Sequence, residues 1–147
     1  MTLDDWVKNG WLAAEPTSAE EIKGLGTIID RDLRDAEVTE LSDDRRFEAA
    51  FNAARTAASI ALRASGYRTV GYGGHHVRTI ESLELTMKAD SKLINRLKAL
   101  SKKRNATSYD SAGNVSEEEL KSMLKTARDL ASSVRMWLKK EHPKLLS

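Results

Sequence analysis

Residues 42–66, with the sequence SDDRRFEAAFNAARTAASIALRASG, decide the fold. Their apolar positions recur at intervals of three and four residues, the period of an α-helix with one face turned toward a core. Those positions are Phe47, Ala50, Phe51, Ala54, Ala57, Ala58, Ala61 and Leu62. Ser42 is a suitable N-cap, and Gly66 is typical of a helix end. Because so many of these side chains are alanines, we expect a neighbouring helix to approach closely.

The same helical period appears on both sides of this segment. Residues 18–38 predict a helix that begins at a capping box formed by Ser18 and Glu21. Ser116 and Glu119 form a second capping box, which opens a long helix that ends before Pro143. These two helices and the central one are the best-marked elements of the chain.

Weaker patterns predict the remaining elements. One helix is expected from near His75 to Met87, with Val77, Ile80 and Leu83 on its apolar side, and another from Asp90 or Ser91 to about residue 104. A short helix over residues 3–9 precedes Gly10. Residues 66–74 contain four glycines and predict a loop, and residues 105–115 predict a second break.

These patterns together predict a single all-α domain. Five main helices are joined by short links, and no stretch shows sustained alternation of apolar and polar residues. We therefore expect a four- to five-helix bundle with largely antiparallel neighbours.

Composition excludes several classes of function. The chain of 147 residues has no cysteine, which excludes disulfides, thiolate metal sites and a cysteine nucleophile. No apolar run approaches the roughly 20 residues of a membrane span, and the first residues are acidic, so a soluble cytoplasmic protein with no membrane contact is expected. Residues 1–90 carry 11 Lys and Arg against 16 Asp and Glu, whereas residues 91–147 carry 13 against 6. This asymmetry indicates a contact with an anion or with an acidic partner.

The segment around Arg104 is the first candidate site. Arg104 and Asn105 follow a run of cations, and Tyr109 lies five residues after the arginine. A guanidinium binds phosphate oxygens in a fork, an amide orients it, and a phenol adds a donor and a stacking face. Lys98, Lys102 and Lys103 are candidate phosphate contacts on the same helix. The alternative is that these cations only stabilise a helix C-terminus.

His75 and His76 are the second candidate site. A histidine titrates near neutral pH and serves as acid, base or phosphate contact. Adjacent helical residues point about 100° apart, so the pair is not expected to bind one metal ion, and no cofactor is predicted. The preceding glycines lack the lysine and Ser/Thr ending of a phosphate-binding loop. The alternative is that one histidine caps the helix start and the other packs inside.

Several short motifs, in order, resemble the HEPN family of helical domains. Arg104 and Asn105 match the start of that family's arginine–polar–histidine motif. Residues 42–68 are similar to the opening helix of an actinobacterial-type subgroup, Gly74, His75 and His76 match its central motif, and residues 109–116 and 137–143 resemble its last linker and its end. The similarity covers roughly residues 40–145, which divides the chain into an N-terminal helical extension, residues 1–40, and a HEPN-like bundle, residues 41–145.

The resemblance carries implications for function. HEPN domains are helical bundles that often dimerise, and their catalytic members are metal-independent ribonucleases, frequently toxins or defence effectors. Other members are non-catalytic partners of nucleotidyltransferases. By this similarity Arg104 would bind the scissile phosphate and Asn105 would order the site. Tyr109 occupies the family's histidine position, and because a phenol titrates near 10 it is a poor general base at pH 7, which predicts weakened or lost catalysis unless His75 or His76 substitutes.

Two functions are therefore predicted. The first is an RNA- or nucleotide-binding module, acting as a homodimer, with endoribonuclease activity an open question. The second is a protein-interaction module, either antitoxin-like or associated with a nucleotidyltransferase. The second prediction draws on the acidic N-terminal half and on the alanine-rich helix, which suits helix-on-helix association.

Overall fold

The computed structural model describes residues 1–71, 73–109 and 115–146, with side chains for all of these except 106–109. The described part is a helical bundle with one small sheet, which confirms the all-α prediction. Its elements are α1 Leu3–Lys8, β1 Leu12–Ala14, α2 Ala19–Ala36, α3 Asp43–Ala64, β2 Tyr67–Thr69, α4 His75–Glu81, α5 Leu83–Thr86, α6 Ser91–Tyr109, α7 Glu117–Glu141 and a short 3-10 helix Pro143–Leu146.

Helix α3 is the centre of the bundle, as its apolar face predicts. It packs against α2 on one side and α7 on another, and also contacts α4, α5 and α6. Six of its alanines are at most 1% exposed, namely Ala50, Ala53, Ala54, Ala57, Ala58 and Ala61. Such small side chains let neighbouring helices come close, while Phe47 and Phe51 fill the larger spaces. The alanine face is thus used inside the bundle and is not presented at the surface.

The caps explain where the long helices begin. Ser42 Oγ accepts the backbone N–H of Arg45 at the start of α3. Ser116 and Glu119 form the predicted reciprocal capping box at the start of α7. At α2 only half of the predicted box forms: Ser18 Oγ accepts the Glu21 N–H, but the Glu21 carboxylate accepts from the hydroxyl of Thr17 and the guanidinium of Arg63.

A two-stranded antiparallel sheet joins the N-terminal segment to the loop after α3. Leu12 pairs with Thr69 and Ala14 with Tyr67, so the prediction of a loop was wrong for residues 67–69. Strands of three residues are too short to show alternation in a sequence. The sheet fixes the glycine-rich segment that leads into α4, where Gly74 has the left-handed φ of 68°.

Two predicted helices have different bounds in the structure. The helix expected from His75 to Met87 is interrupted at buried Ser82, whose hydroxyl donates to the Thr79 carbonyl. Val77, expected on the core side, is 38% exposed. Helix α6 continues to Tyr109, so the break predicted from residue 105 was wrong for residues 105–109, while residues 110–114 of that break lie outside the described residues.

The segment predicted as an N-terminal extension contributes to the main core. Ile22, Ile29 and Ala36 of α2 belong to the same buried cluster as the apolar faces of α3 and α7. Trp6 and Leu12 form a smaller cluster with Leu62 near the sheet. None of the helices in the described ranges combines the length and apolar character that crossing a bilayer requires.

Candidate phosphate-binding site

Arg104 lies against α3 and is largely covered. Its side chain is 15% exposed, and its guanidinium carbon is 6.0 Å from the ring centre of buried Phe51. One Nη atom is 3.7 Å from Oε1 of Glu48, and the other donates to Oδ1 of neighbouring Asn105 at 3.3 Å. Its Nε is buried and has no hydrogen-bond partner among the residues that the structure describes. Those residues therefore satisfy the guanidinium only in part.

Helix α3 presents a second arginine to this region. Glu48, Phe51 and Arg55 follow at three- and four-residue spacing, so they lie along one side of α3. Arg55 is half-buried. Within the described ranges its Nε has no partner, and its only hydrogen bond to a side chain is a long one of 3.5 Å to Asn52. No carboxylate of the described residues lies within 4 Å of it.

Both arginines lie beside Phe51, since Arg104 stands over its ring and Arg55 follows it by one turn of α3. Burial lowers the pKa of Arg55 below its usual value, the positive charge of Arg104 lowers this pKa further, and Asp32 partly offsets both. Asp32 itself is engaged by Arg31, whose Nε and Nη2 donate to its Oδ1 at 3.2 and 3.1 Å. A guanidinium stays protonated at neutral pH, so α3 and α6 hold two like charges together with little compensation.

His76 is the third member of this cluster. It projects from α4 and is exposed. Partial burial lowers its pKa, and the positive charges of Arg55, Arg104 and His75 lower it further. A neutral imidazole is therefore favoured near pH 7, and it can donate one hydrogen bond or accept a proton. We refer to Arg55, His76 and Arg104 as the cation cluster.

His75 has a different environment from that of His76. Its Nε2 is 2.6 Å from the carbonyl oxygen of Gly71, and its Nδ1 is 3.1 Å from the hydroxyl of Thr69. In the neutral ring Nε2–H donates to the carbonyl while Nδ1 accepts from the hydroxyl. Both ring nitrogens are thus engaged in tying the glycine-rich segment to the start of α4.

The three candidate lysines also differ in their surroundings. Lys98 pairs with Glu81 at 2.8 Å and Lys103 with Glu119 at 3.3 Å. Lys102 is exposed and forms no ion pair with any residue that the structure describes. Lys102 is accordingly the lysine most available to a ligand, whereas the other two connect α6 to α4 and α7.

Of the predicted motif, the structure describes the first two side chains. Asn105 is exposed and accepts the hydrogen bond from Arg104. Tyr109 is the last residue of α6, and its side chain lies outside what the structure describes. Among the described residues, no three His, Asp or Glu side chains gather where a metal ion would bind.

Sequence reasoning missed Arg55 and Glu48. Both lie in the alanine-rich helix, for which the sequence pattern predicts only an apolar face. Arg55 follows an alanine and precedes a threonine and an alanine. A charged residue next to such a closely packed face is the feature of the sequence that indicates a special role for Arg55. Its proximity to Arg104, 49 positions away, depends on how α3 and α6 pack.

Comparisons with known proteins give no match from which the role of this site could be argued. No family model, no curated protein and no solved structure matches the chain. The similarity to HEPN domains therefore stays a prediction from the motifs quoted above, and the functional argument rests on the geometry of the cation cluster.

Proposed function

We propose that this protein is a HEPN-like module that binds RNA or a nucleotide through Arg104 and its neighbours. The observation that carries the proposal is that Arg104 and Arg55, both largely or half-buried beside Phe51, each have an Nε without a partner among the described residues, where Glu48 is the carboxylate in contact with Arg104. Buried charge is costly unless it is paired, so a site of this kind favours an anion. Phosphate is the biological anion whose geometry best suits paired guanidiniums.

The surrounding residues support a phosphate that belongs to a nucleic acid. Exposed Lys102 lies two residues before Arg104 on α6 and exposed Asn105 directly after it, where they can contact a backbone or a base. The charge of residues 91–147, with 13 Lys and Arg against 6 Asp and Glu, favours approach of a polyanion. By the HEPN resemblance, the binding form would be a homodimer.

The proposal extends from binding of RNA to its cleavage. A metal-independent endoribonuclease needs a base for the ribose 2′-hydroxyl and a cation for the phosphate. Within the described residues, the lowered pKa of His76 favours a neutral imidazole near pH 7, and Arg104 is one of the cations whose charge lowers that pKa. We propose these two for the roles, with Asn105 orienting the guanidinium through its hydrogen bond.

The proposal is tested by RNA binding with matched arginine variants. Fluorescence anisotropy of a labelled single-stranded RNA is measured at about 50 and about 200 mM salt, where phosphate contacts differ most in strength. Arg104→Ala is compared with Arg96→Ala, which removes an exposed arginine from the same helix. We expect Arg104→Ala to weaken binding about tenfold or more, because it removes a charge-assisted fork, and Arg96→Ala to change it much less.

Two results would contradict the proposal. One is no binding at the lower salt concentration. The other is an equal loss in both variants, which would indicate a diffuse positive surface and no site at Arg104. Light scattering of the same sample tests the homodimer, for which a mass twice the chain's 16.3 kDa is expected.

A second candidate function is a protein-interaction module, favoured by an apolar depression on α7. Met136 is 70% exposed and Leu146 is 50% exposed, and both line a surface depression of about 590 Å³ together with Leu33 and Ala131. An antitoxin-like or nucleotidyltransferase partner is proposed to cover it. A pull-down from the native host, repeated with Met136→Asp, tests this: a stoichiometric partner lost in the variant supports the candidate, and no stoichiometric partner contradicts it.

A further inference from the structure

We infer that Arg55 and Arg104 form a receptor for a dianionic terminal phosphate, so that the preferred ligand is a phosphomonoester such as a nucleotide or a phosphorylated RNA end. The inference rests on the proposed function and narrows its ligand class to terminal phosphates, so it favours the binding part of that proposal over cleavage within an RNA strand. It assigns Arg55 a direct role in binding, which neither the sequence motif nor the HEPN resemblance contains.

The first argument is the match of charge. Two guanidiniums carry two full positive charges, and Glu48, the carboxylate 3.7 Å from Arg104, is 45% exposed, so it can turn aside. Asp32 is already engaged by Arg31. A phosphomonoester carries close to two negative charges at neutral pH, whereas a phosphodiester carries one. A diester would leave one of the two arginines without an anionic partner.

The second argument is the match of hydrogen-bond donors and acceptors. A terminal phosphate has three unesterified oxygens, and a diester has two. Arg55 has one long hydrogen bond to a described side chain, and Arg104 has one hydrogen bond and one loose ion pair, so most of their N–H donors have no acceptor within the described part of the chain. His76 of α4, whose pKa responds to the charges of both arginines, has a ring N–H that can donate as well. Donors on three helices are thus available to a compact anion with several oxygens.

The third argument is steric access. Arg104 is only 15% exposed and Arg55 is half-buried, so the two side chains are partly covered by their neighbours and do not stand above the surface. A phosphate at the end of a ligand has one substituent and can approach such partly covered groups alone. A phosphate in the middle of a strand must carry a ribose in on each side.

The arrangement of Arg55 and Arg104 is unfavourable without a ligand, so the stability of the protein gives a second measurement of the site. Like charges in a partly buried region repel, and each arginine also has a buried Nε without an acceptor. Partly buried charges with few partners are typical of binding sites, where the free energy of unfolding is lower than the fold could achieve. Replacing Arg55 by an apolar residue of similar length should relieve the repulsion.

The test uses three probes that differ only in the phosphate: adenosine 5′-monophosphate, adenosine 3′,5′-cyclic monophosphate and adenosine. Calorimetry measures affinity, and thermal melting measures stability, for the wild type, Arg55→Met, Arg55→Lys and the control Arg45→Met, which removes an exposed arginine of the same helix. We expect the monoester to bind about tenfold or more tightly than the cyclic diester, and adenosine not to bind. Inorganic phosphate should compete with the monoester.

The variants complete the test. Arg55→Met should lose the preference for the monoester and melt no lower than the wild type without ligand. Arg55→Lys keeps a charge but not the fork, so an intermediate affinity is expected; it also gives the binding result should Arg55→Met not fold. Arg45→Met should match the wild type in both measurements.

Several outcomes would overturn the inference. They are equal binding of monoester and cyclic diester, an unchanged monoester affinity in Arg55→Lys, or a clearly lower melting temperature of folded Arg55→Met, which would make Arg55 a structural residue. If RNA with a 5′-hydroxyl end binds through Arg104 while the monoester does not bind, only this inference fails. If neither binds, the proposed function fails with it.

Discussion

Replacing Glu48 by glutamine should tighten the binding of phosphate ligands. Glu48 is the carboxylate in contact with Arg104, and a ligand phosphate must compete with it for the guanidinium. At their separation of 3.7 Å, two unit charges attract by about 1.1 kcal/mol in a dielectric like water and about 4.5 kcal/mol at an effective dielectric of about 20. Because the glutamate side chain is 45% exposed, the lower value is the relevant limit, and measured exposed pairs contribute roughly 0.2–1 kcal/mol.

The expected gain in affinity follows from that limit. Removing a competing attraction of about 0.5–1 kcal/mol corresponds to roughly two- to fivefold tighter binding. The assay is the RNA anisotropy titration described above, at the lower salt concentration. Glu20→Gln is the matched control, since it makes the same change of charge at an exposed position of α2. Unchanged or weaker binding by folded Glu48→Gln, or an equal gain in both variants, would refute the assignment of the site to Arg104.

Three further predictions concern stability. The pKa of His76 is lowered by partial burial and by its cationic neighbours. The stability linked to its neutral form is therefore complete above about pH 6.5 and is lost as the pH falls through the lower folded-state pKa. Between about pH 7.5 and pH 5.5, His76→Gln should lose less stability than the wild type, as measured by urea unfolding. Ser116→Ala removes the capping box of α7 and should lower the free energy of unfolding by about 1 kcal/mol, and no change in the urea midpoint would contradict the cap. Ala57→Leu forces a larger side chain into the fully buried face of α3 and should cost about 1–3 kcal/mol in the same assay, whereas unchanged stability would mean that this face is not closely packed.

The main helices were predictable because their signals are local. The apolar stripe and Ser42 cap of α3, and the reciprocal Ser116–Glu119 box of α7, are determined by residues within a few positions of one another. The sheet was missed because Leu12 and Thr69 pair across 57 positions through strands of three residues. The end of α6 was placed too early because the Asn, Asp, Ser and Gly residues clustered over 105–115 predict a break, although the helix runs to Tyr109.

The candidate site was only partly predictable for a related reason. The chemistry of Arg104 and Asn105 is visible in the sequence, because an arginine followed by an amide suits phosphate wherever it lies. That Arg55 and His76 join Arg104 depends on the packing of α3, α4 and α6, which no local pattern encodes. The two adjacent histidines also differ in a way that no local pattern encodes. Thr69 and Gly71 contact both ring nitrogens of His75, whereas the pKa of His76 responds to the charges of Arg55 and Arg104.

The most direct test of the cation cluster is an NMR titration that observes arginine side chains. The Nε–Hε signals of Arg55, Arg104 and exposed Arg96 are followed while adenosine 5′-monophosphate is added to the wild-type protein. We predict large, saturable shifts for Arg55 and Arg104 with a common midpoint, and little change for Arg96. Shifts at Arg96 equal to those at the cluster, or no shift at Arg104 while ligand binds, would contradict the central claim.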